Sequence, residues 1–373
     1  MAEKAAAPFK KANVAFFVPN LGCPHACAFC NQREISGRER APLPEEVERT
    51  AREALRTLGE NARHAQIAFF GGSFTAIPRA QMEALLAAAA PFIGPAGFAG
   101  IRVSTRPDAI DAEILDTLRR YGVNAVELGA QSMDDAVLRQ NRRGHTAQQV
   151  EQACGLIRAR GLELGLQMMT GLYGATDDSD RETARRLAAL HPDTVRVYPT
   201  LVLRGTELAR LWREGRYAPP ALENAVELCA ELLRFFEERG VRVIRLGLHA
   251  EESLQENLLD GPWHPAFREL CENRLYLSAA RKALEELFEQ GGARAGERHV
   301  RGCHVRGCHV RERHAVLYAG ERELSKLAGQ RRANLCALEE TFGTRLRVRG
   351  APLAPYEVRA AFVPEDGKIP EYV

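Results

Sequence analysis

The chain has 373 residues, of which 45% are hydrophobic and 27% are charged, proportions typical of a soluble globular protein. Nine cysteines, in a chain whose N-terminus MAEKAAAPFKKANV has no apolar signal region, argue against a secreted disulfide framework and favour metal ligands or buried thiols in a cytoplasmic protein. The most apolar stretch, residues 82–101, is broken by Pro91 and Pro95, so no membrane span is expected.

Short β-branched or aromatic runs alternate with amphipathic helical patterns over the first 250 residues. The predicted strands are residues 14–18, 66–70, 100–104, 125–129, 163–167, 194–198 and 241–246. The predicted helices between them are residues 44–58, 79–90, 109–121, 147–160, 177–190 and 222–239. Such alternation predicts parallel strands joined by crossover helices, and therefore an α/β fold with a partial (β/α)6-type TIM-like barrel.

The pattern changes near residue 250, where we place the boundary between a core barrel, residues 1–250, and a C-terminal α+β region, residues 251–373. A long helix is predicted at 265–290, followed by a basic stretch, a strand at 315–318, a helix at 321–342 and a strand at 344–349. The last helix contains the turn Gly329-Gln330-Arg331-Arg332, so this region is faintly similar to a KH-type RNA module. A KH loop has a second glycine where Arg332 stands, and a plain helix-packing cap is the alternative.

Positive charge is concentrated near the C-terminus. Residues 291–350 contain 13 Lys and Arg against 6 Asp and Glu, a net charge of +7 in a chain whose total is +2. This asymmetry predicts a polyanionic partner such as RNA, and a solvated arginine-rich surface is the alternative.

A short repeat, HVRGC, occurs twice between His299 and Cys308. Cysteine and histidine together are common zinc ligands. A five-residue period, however, fits neither a helix nor a strand face, and the spacing matches no common zinc pattern. We therefore interpret the repeat as a local duplication without a metal.

Three cysteines in CPHACAFC are the most informative residues of the chain. Cys23, Cys27 and Cys30 have the spacing C-x3-C-x2-C on a loop directly after the first predicted strand. Three thiolates can hold three irons of a 4Fe–4S cubane and leave the fourth iron open to a substrate or cofactor. The spacing therefore predicts a metal site at which chemistry takes place.

Other distinctive motifs also follow predicted strands. They are GGS at 71–73, TRP at 105–107, AQS at 130–132, MMTG at 168–171 and PT at 199–200. Because chemistry in such a barrel lies where strands end and the following loops begin, we expect these motifs to surround one site.

With these motifs the chain resembles a radical S-adenosylmethionine enzyme. The resemblance implies that the three cysteines ligate a 4Fe–4S cluster and that S-adenosylmethionine chelates the open iron. It also implies that reductive cleavage gives a 5′-deoxyadenosyl radical, with reduced ferredoxin or flavodoxin as electron donor. The cofactor supplies the difficult step and the protein orients and shields it.

The same resemblance assigns candidate cofactor-binding residues. Phe29 corresponds to the aromatic residue packed near the adenine, and Gly71 with Gly72 corresponds to the glycine motif that meets the methionyl amine. Arg143 is the candidate clamp for the methionyl carboxylate, since arginine binds carboxylates bidentately. Polar residues that meet the ribose and adenine in relatives correspond to Ser104, Gln131 and Gln167. Ser73 stands where many members of the superfamily have glutamate, which puts a side-chain contact there in doubt.

A narrower resemblance, over roughly residues 10–215, is to the radical S-adenosylmethionine region of the Elongator catalytic subunit. It is carried by STRPD (104–108), ELGAQS (127–132), RGHT (143–146) and YPTLVLRGTEL (198–208). That family modifies wobble uridine in tRNA, so the resemblance implies a tRNA or other RNA substrate. The first cysteine spacing is shorter than in that family, and the sequence shows no acetyltransferase region, so the reaction does not transfer whole.

Two other functions fit part of the pattern. An enzyme related to oxygen-independent coproporphyrinogen oxidase would share the cysteine spacing and the G-x-Q-S and R-G-H elements, although GGSFT and YPTLVLRGT favour the Elongator resemblance. A non-catalytic iron–sulfur protein that binds RNA is the second alternative, and it predicts cluster assembly without cofactor turnover.

Overall fold

The computed structural model describes residues 12–18, 23, 27–31, 40–248, 252–290, 314–364 and 369–372. The chain divides into two compact units, Met1–Ala225 with Phe235–Pro265 and Val226–Arg234 with Ala266–Val373. The HVRGC repeat lies outside the described residues. Within the described ranges, no helix is long and apolar enough to cross a membrane.

The first unit is built on a seven-stranded sheet in which every neighbouring pair of strands is parallel. Its strands, in spatial order, are β1 (Ala12–Val18), β2 (Ala65–Gly71), β3 (Ile101–Thr105), β4 (Val123–Gln131), β5 (Glu163–Thr170), β6 (Thr194–Pro199) and β8 (Arg242–Leu246). Spatial order follows chain order, as expected for successive crossover connections. The predicted α/β partial barrel with a smaller C-terminal region is confirmed, and all the predicted strands of the barrel are present.

Helices follow these strands along the chain. They are α1 (Pro44–Leu58), α2 (Arg79–Ala89), α3 (Ala112–Arg120), α4 (Asp135–Gln140), α5 (Ala147–Ala159), α6 (Asp177–Ala189), α7 (Glu207–Arg213), α8 (Leu222–Glu237) and α9 (Glu252–Asn257). Local sequence explains several starts, because hydroxyl caps satisfy backbone N–H groups that have no partner inside the helix. Thr146 caps α5 by accepting from the N–H of Gln149, and Thr176 caps α6 in the same way.

The two faces of the sheet carry different side chains, because successive residues of a strand point to opposite faces. On β2, Ile67 and Phe69 are fully buried in the apolar core. Phe69 stacks on Phe16 with ring centroids 5.6 Å apart and on Phe74 at 4.7 Å. The alternate residues Gln66 and Phe70 line a cavity instead. The opposite face of the sheet therefore carries the polar groups available for function.

A small antiparallel pair, β7 (Val202–Leu203) with β9 (Leu258–Asp260), stands apart from the main sheet. Leu201, Leu203 and Leu254 form a buried apolar cluster beside it, and the same three side chains line the cavity. This cluster gives the cavity an apolar wall next to its polar strand residues.

The second unit contains α10 (Phe267–Gln290), β10 (His314–Ala319), α11 (Leu324–Ala328), α12 (Ala333–Phe342), β11 (Arg345–Gly350) and β12 (Arg359–Phe362). The sheet order is β11-β10-β12, with β10 parallel to β11 and antiparallel to β12. Tyr276, Leu284, Leu317 and Leu338 are among the buried residues of its own apolar core. A hydrophobic core of this kind is what a separate compact unit requires.

The sequence placed one helix over residues 321–342, whereas the structure has two helices separated by the turn Gly329–Arg332. Gly329, Arg331 and Arg332 have φ values of 74°, 51° and 64°, outside the right-handed helical region. The helix therefore cannot continue through them. The sequence also gave no indication of β12, a strand of four residues at the sheet edge.

Candidate functional site

A cavity of about 750 Å³ lies on the polar side of the main sheet, and strands from β1 to β8 contribute side chains to it. Residues near strand starts, such as Asn13 and Arg102, line it together with residues at strand ends, such as Gly71 and Gln131. Its volume lies within the range of ligand pockets. All the predicted cofactor-binding residues line this cavity, namely Phe29, Gly71, Gly72, Ser104, Gln131, Arg143 and Gln167.

The cysteine loop is held in place by backbone hydrogen bonds from two other loops. The N–H of Ala28 donates to the carbonyl of Asn141 at 3.0 Å, and the N–H of Leu208 donates to the carbonyl of Ala28 at 2.7 Å. A turn closes between the N–H of Cys30 and the carbonyl of Cys27 at 3.1 Å. Through Ala28, these bonds hold the cysteine loop against Asn141, just before the RGHT motif, and against Leu208, the last residue of the YPTLVLRGTEL motif. Both contacts are with residues more than 100 positions away in the chain.

The three predicted cysteine ligands are free thiols of intermediate exposure, and Cys23 and Cys30 line the cavity. Arg143 Nη1 donates to Cys27 Sγ at 3.2 Å. Burial raises the pKa of the Cys23 thiol and nearby Cys27 adds to the rise, while Arg106 and Arg143 act in the opposite direction. Two guanidinium groups are thus placed to stabilise thiolates, the form of cysteine that binds metals.

No group of three Cys, His, Asp or Glu side chains in the described ranges is arranged around a single metal ion. A 4Fe–4S cubane places each cysteine on a different iron atom, and therefore asks for a different arrangement from that of a single ion. Whether a cluster and its ligand fit this site is therefore judged from the residues that surround the three thiols.

The glycine motif provides a close approach of backbone to the cavity. Gly71 has a φ of 109°, and a Cβ there would lie 3.0 Å from the carbonyl oxygen of Val18. The N–H of Gly72 donates to the same carbonyl at 2.7 Å. Position 71 therefore requires glycine, since another residue would be strained and would press on β1.

Ser73 closes this loop instead of facing a ligand. Its side chain is fully buried, and its hydroxyl lies 2.7 Å from that of Thr105. It also accepts the N–H of Arg106 at 3.1 Å. Serine at this position therefore ties the loop after β2 to the loop after β3.

Gln131 is the clearest sign of a bound ligand. It ends β4 at a register shift opposite Met168 and has a φ of 66°, which is unusual for a residue other than glycine. Its side-chain Oε1 is buried and accepts no hydrogen bond from any residue that the structure describes. The Nε of Arg143, in the same cavity, likewise donates to none of them. Strained backbone and unpaired buried polar atoms cluster where a ligand completes the hydrogen bonding.

His145 supports the same strand end. Its Nε2–H donates to the carbonyl of Ala130 at 3.1 Å. Burial, with Arg143 nearby, lowers the pKa of His145 to about 4. The imidazole is therefore neutral at neutral pH and holds the backbone beside Gln131 without adding charge.

Glu127 organises the deeper part of the cavity. Its carboxylate, 1% exposed, accepts from Gln167 Nε2 at 3.1 Å and from Ser104 Oγ at 3.4 Å. Arg102 and Arg196 donate to it at 3.1 and 3.0 Å. Glu127 thereby fixes the orientation of two predicted cofactor-binding residues, Ser104 and Gln167.

The structure adds functional candidates that the sequence reasoning did not single out. Arg106 lies within hydrogen-bonding reach of Cys23 and is held by Asp108 through bonds of 2.9 and 2.8 Å. Arg106 and Glu127 belong to the STRPD and ELGAQS motifs, so the signal was present in the sequence.

Phe29 lines the cavity but also packs on the Val202 and Leu208 cluster.

Family models place the chain independently. The radical SAM superfamily matches residues 17–187, and the radical SAM C-terminal domain matches residues 192–276. The chain belongs to the radical S-adenosylmethionine superfamily, as its motifs predicted, and it is a radical S-adenosylmethionine enzyme whose reaction is unspecified. Membership implies a 4Fe–4S cluster and S-adenosylmethionine as cofactors.

The curated relatives are Elongator-type proteins. Elongator complex protein 3 of Homo sapiens is 36% identical over 137 residues, which is 36% of this chain and 25% of that protein. The tRNA uridine(34) acetyltransferase of Dehalococcoides mccartyi is 30% identical over 183 residues, covering 47% and 39%. The chain thus spans less than half the length of these relatives.

A solved structure shows the same fold. The Elp3 of Methanocaldococcus infernus with an N-terminal deletion superimposes with a TM-score of 0.57 and 21% sequence identity. The match covers 76% of this chain and 63% of that one.

Proposed function

We propose that this protein binds a 4Fe–4S cluster through Cys23, Cys27 and Cys30, binds S-adenosylmethionine beside it, and modifies tRNA by radical chemistry. When reduced, the cluster and S-adenosylmethionine supply a 5′-deoxyadenosyl radical, the species that abstracts hydrogen from a substrate. The observation that carries the proposal is the convergence of the cysteines, the glycine pair and the unpaired polar atoms of Gln131 and Arg143 on one cavity.

Each predicted residue has a definite part in this proposal. Arg143, next to Cys27, is placed to receive the methionyl carboxylate, and its unpaired Nε is a donor for it. Gln131 Oε1 is an acceptor for a ribose hydroxyl or the adenine amino group. Ser104 and Gln167, held by Glu127, continue the polar wall, and Gly71 with Gly72 leaves room for the methionyl end. Phe29 offers an aromatic surface for the adenine.

The RNA part of the proposal has two supports. The relatives include proteins named tRNA uridine(34) acetyltransferases, and residues 291–350 carry a net charge of +7. Clusters of Lys and Arg favour binding to phosphate backbones. Reduced ferredoxin or flavodoxin is the proposed electron donor.

Anaerobic reconstitution followed by reaction with S-adenosylmethionine, dithionite and bulk tRNA tests the proposal. Nucleoside mass spectrometry should find a modified nucleoside that forms only with S-adenosylmethionine and is absent with the Cys27→Ala variant. A variant with exposed Cys336 replaced by alanine should behave as the unchanged protein, because Cys336 lies on α12 and does not line the cavity.

Two outcomes would contradict the proposal in different ways. A cluster that assembles but yields no 5′-deoxyadenosine with or without tRNA would favour the non-catalytic iron–sulfur protein. Formation of 5′-deoxyadenosine without any change in tRNA would retain the radical enzyme and remove tRNA as its substrate.

A further inference from the structure

Strand β11, at an edge of the second unit's sheet, carries three exposed arginines on one face of the strand. Arg345, Arg347 and Arg349 are all exposed, while Leu346 between them is buried in the core. Alternate residues of a strand share a face and lie about 6.7 Å apart. We call these three residues the arginine row. Its spacing is comparable to that of successive phosphates along an extended single strand of nucleic acid.

The arginine row is not committed to structural ion pairs. None of the three guanidinium groups has a hydrogen bond or ion pair to any residue that the structure describes. By contrast, exposed Arg359 on β12 is paired with Glu357 at 2.9 Å. The segment from Gly343 to Gly350 itself contains no acidic residue, and the nearby Glu339 carboxylate bonds to the backbone N–H of Leu346 rather than to a guanidinium of the row.

On the same face of the sheet, buried β10 residues lie next to the row, and one of them contacts an exposed aromatic ring. Arg349 lies opposite Tyr318 in the parallel register, and Tyr318 is buried. The ring of Tyr372 contacts that of Tyr318 at 5.5 Å between centroids and is 38% exposed. Positive charge that follows a backbone, combined with an exposed aromatic ring, is the arrangement that single-stranded nucleic acid binding requires.

We propose that the arginine row and Tyr372 form a docking surface for an unpaired stretch of RNA, with phosphates on the row and one base stacked on the tyrosine ring. This inference rests on the proposed function, since it identifies where a tRNA substrate is held. It adds a defined surface, outside the radical cavity, to that function.

Charged residues on an edge strand can also serve to prevent pairing with another chain. On β11, one edge N–H is already satisfied without the arginines, because the Glu339 carboxylate accepts the N–H of Leu346 at 2.8 Å. Edge protection alone predicts no loss of RNA affinity when the charges are removed. Edge protection and RNA docking therefore predict different RNA affinities for a variant that lacks the arginines.

The test compares two variants that lose the same charge. R345Q/R347Q/R349Q removes the row, and R281Q/K282Q/R322Q removes three exposed cations elsewhere in the second unit. Binding of fluorescent bulk tRNA is measured by anisotropy over a series of KCl concentrations, without reductant. The row variant should lose affinity, and its slope of log K against log [KCl] should be smaller by about 2, because each single-strand phosphate contact contributes about 0.7. The control variant should keep the slope of the unchanged protein.

Replacing Tyr372 with alanine separates stacking from charge. Affinity should fall about tenfold while the salt slope stays the same, as expected for one stacked base. An unpaired oligoribonucleotide should compete better than a duplex of equal charge, and polyglutamate should compete poorly.

Equal slopes for the row variant and the unchanged protein, or equal losses in both triple variants, would overturn the docking surface. So would competition by polyglutamate as strong as that by RNA. These results concern the surface alone, because 5′-deoxyadenosine formation without RNA is measured separately and should be the same in the row variant. Absence of tRNA binding by the unchanged protein would overturn both the surface and the RNA part of the proposed function.

Discussion

Arginine has opposite roles in the two units. In the first unit, the side chains of Arg102 and Arg196 are 4% and 13% exposed and share the carboxylate of Glu127. In the second unit, the arginine row is exposed and forms no hydrogen bond or ion pair with the described residues. A buried arginine needs a carboxylate to offset its desolvation, whereas an exposed arginine is solvated and stays available to a mobile anion. The first arrangement fixes geometry and the second leaves charge free for binding.

Removal of the shared Glu127 carboxylate is expected to have the largest effect on stability. Glu127→Ala should lower the free energy of unfolding by about 3 kcal/mol, because the buried guanidinium of Arg196 loses its carboxylate and that of Arg102 keeps only Glu163. Urea denaturation under anaerobic conditions measures the change. Glu127→Gln keeps the shape and should lose less stability, so it serves where the alanine variant does not fold.

Asp180 extends the comparison to a buried acid that forms no ion pair with a cation among the described residues. Burial raises the pKa of Asp180 to about 7, and its carboxyl group accepts the N–H of Gly171 at 2.8 Å. The folded state thus holds a proton that the unfolded chain, with a pKa of about 3.9, releases. Stability should therefore fall as pH rises from about 4 to about 7, by about 1.4 kcal/mol per pH unit over most of that interval.

Asp180→Asn should remove this pH dependence. The stability of the variant relative to the unchanged protein should therefore be higher at pH 8 than at pH 5. Thermal unfolding at both pH values measures it. Asp178, almost fully exposed on the same helix, provides the matched control, and Asp178→Asn should show no such difference. Parallel pH curves for the Asp180 variant and the unchanged protein would show that the acid is ionised in the fold.

Arg143 tests whether a guanidinium in the cavity is used for binding as well as for geometry. Arg143→Lys keeps the charge but loses the planar donor pair, so S-adenosylmethionine affinity should fall about tenfold with iron content retained. Equilibrium dialysis measures the affinity. Arg142→Lys, whose exposed side chain pairs with Glu207, should leave the affinity unchanged. Equal affinities for both variants would remove the carboxylate clamp from the account.

The smallest effect is expected at the surface. Glu357→Ala breaks the exposed pair with Arg359 and should change the free energy of unfolding by less than about 1 kcal/mol. The same denaturation experiment compares it with the Glu127 variants. A cost comparable to that of Glu127→Ala would mean that burial does not distinguish the two classes of pair.

Local pattern predicted much of the fold. The helix at 44–58 and the strand at 194–198 were placed nearly to the residue, because periodicity and capping are local properties. The helix interruption at Gly329–Arg332 was not predicted, since nothing in the local sequence favours a left-handed conformation for Arg331 and Arg332. β12 is short and forms only through pairing with β10, a contact distant in sequence.

The candidate site shows the same division. The cysteines and the loop motifs were recognisable because each follows a strand. The contacts of Glu127 with Arg196 and of Arg106 with Cys23 depend on tertiary packing across 69 and 83 positions. Charged residues inside a barrel also contradict the usual expectation that interiors are apolar, so composition gave no warning of them. The assignments of Phe29, Gln131 and the three cysteines to cofactors stay predictions.

We propose above that the cavity beside Cys27 generates a radical from S-adenosylmethionine. The most direct test is chromatographic measurement of 5′-deoxyadenosine after anaerobic incubation of the reconstituted, dithionite-reduced protein with S-adenosylmethionine. We expect 5′-deoxyadenosine from the unchanged protein and none from Cys27→Ala. A fully assembled cluster that gives no 5′-deoxyadenosine, even with bulk tRNA present, would contradict it.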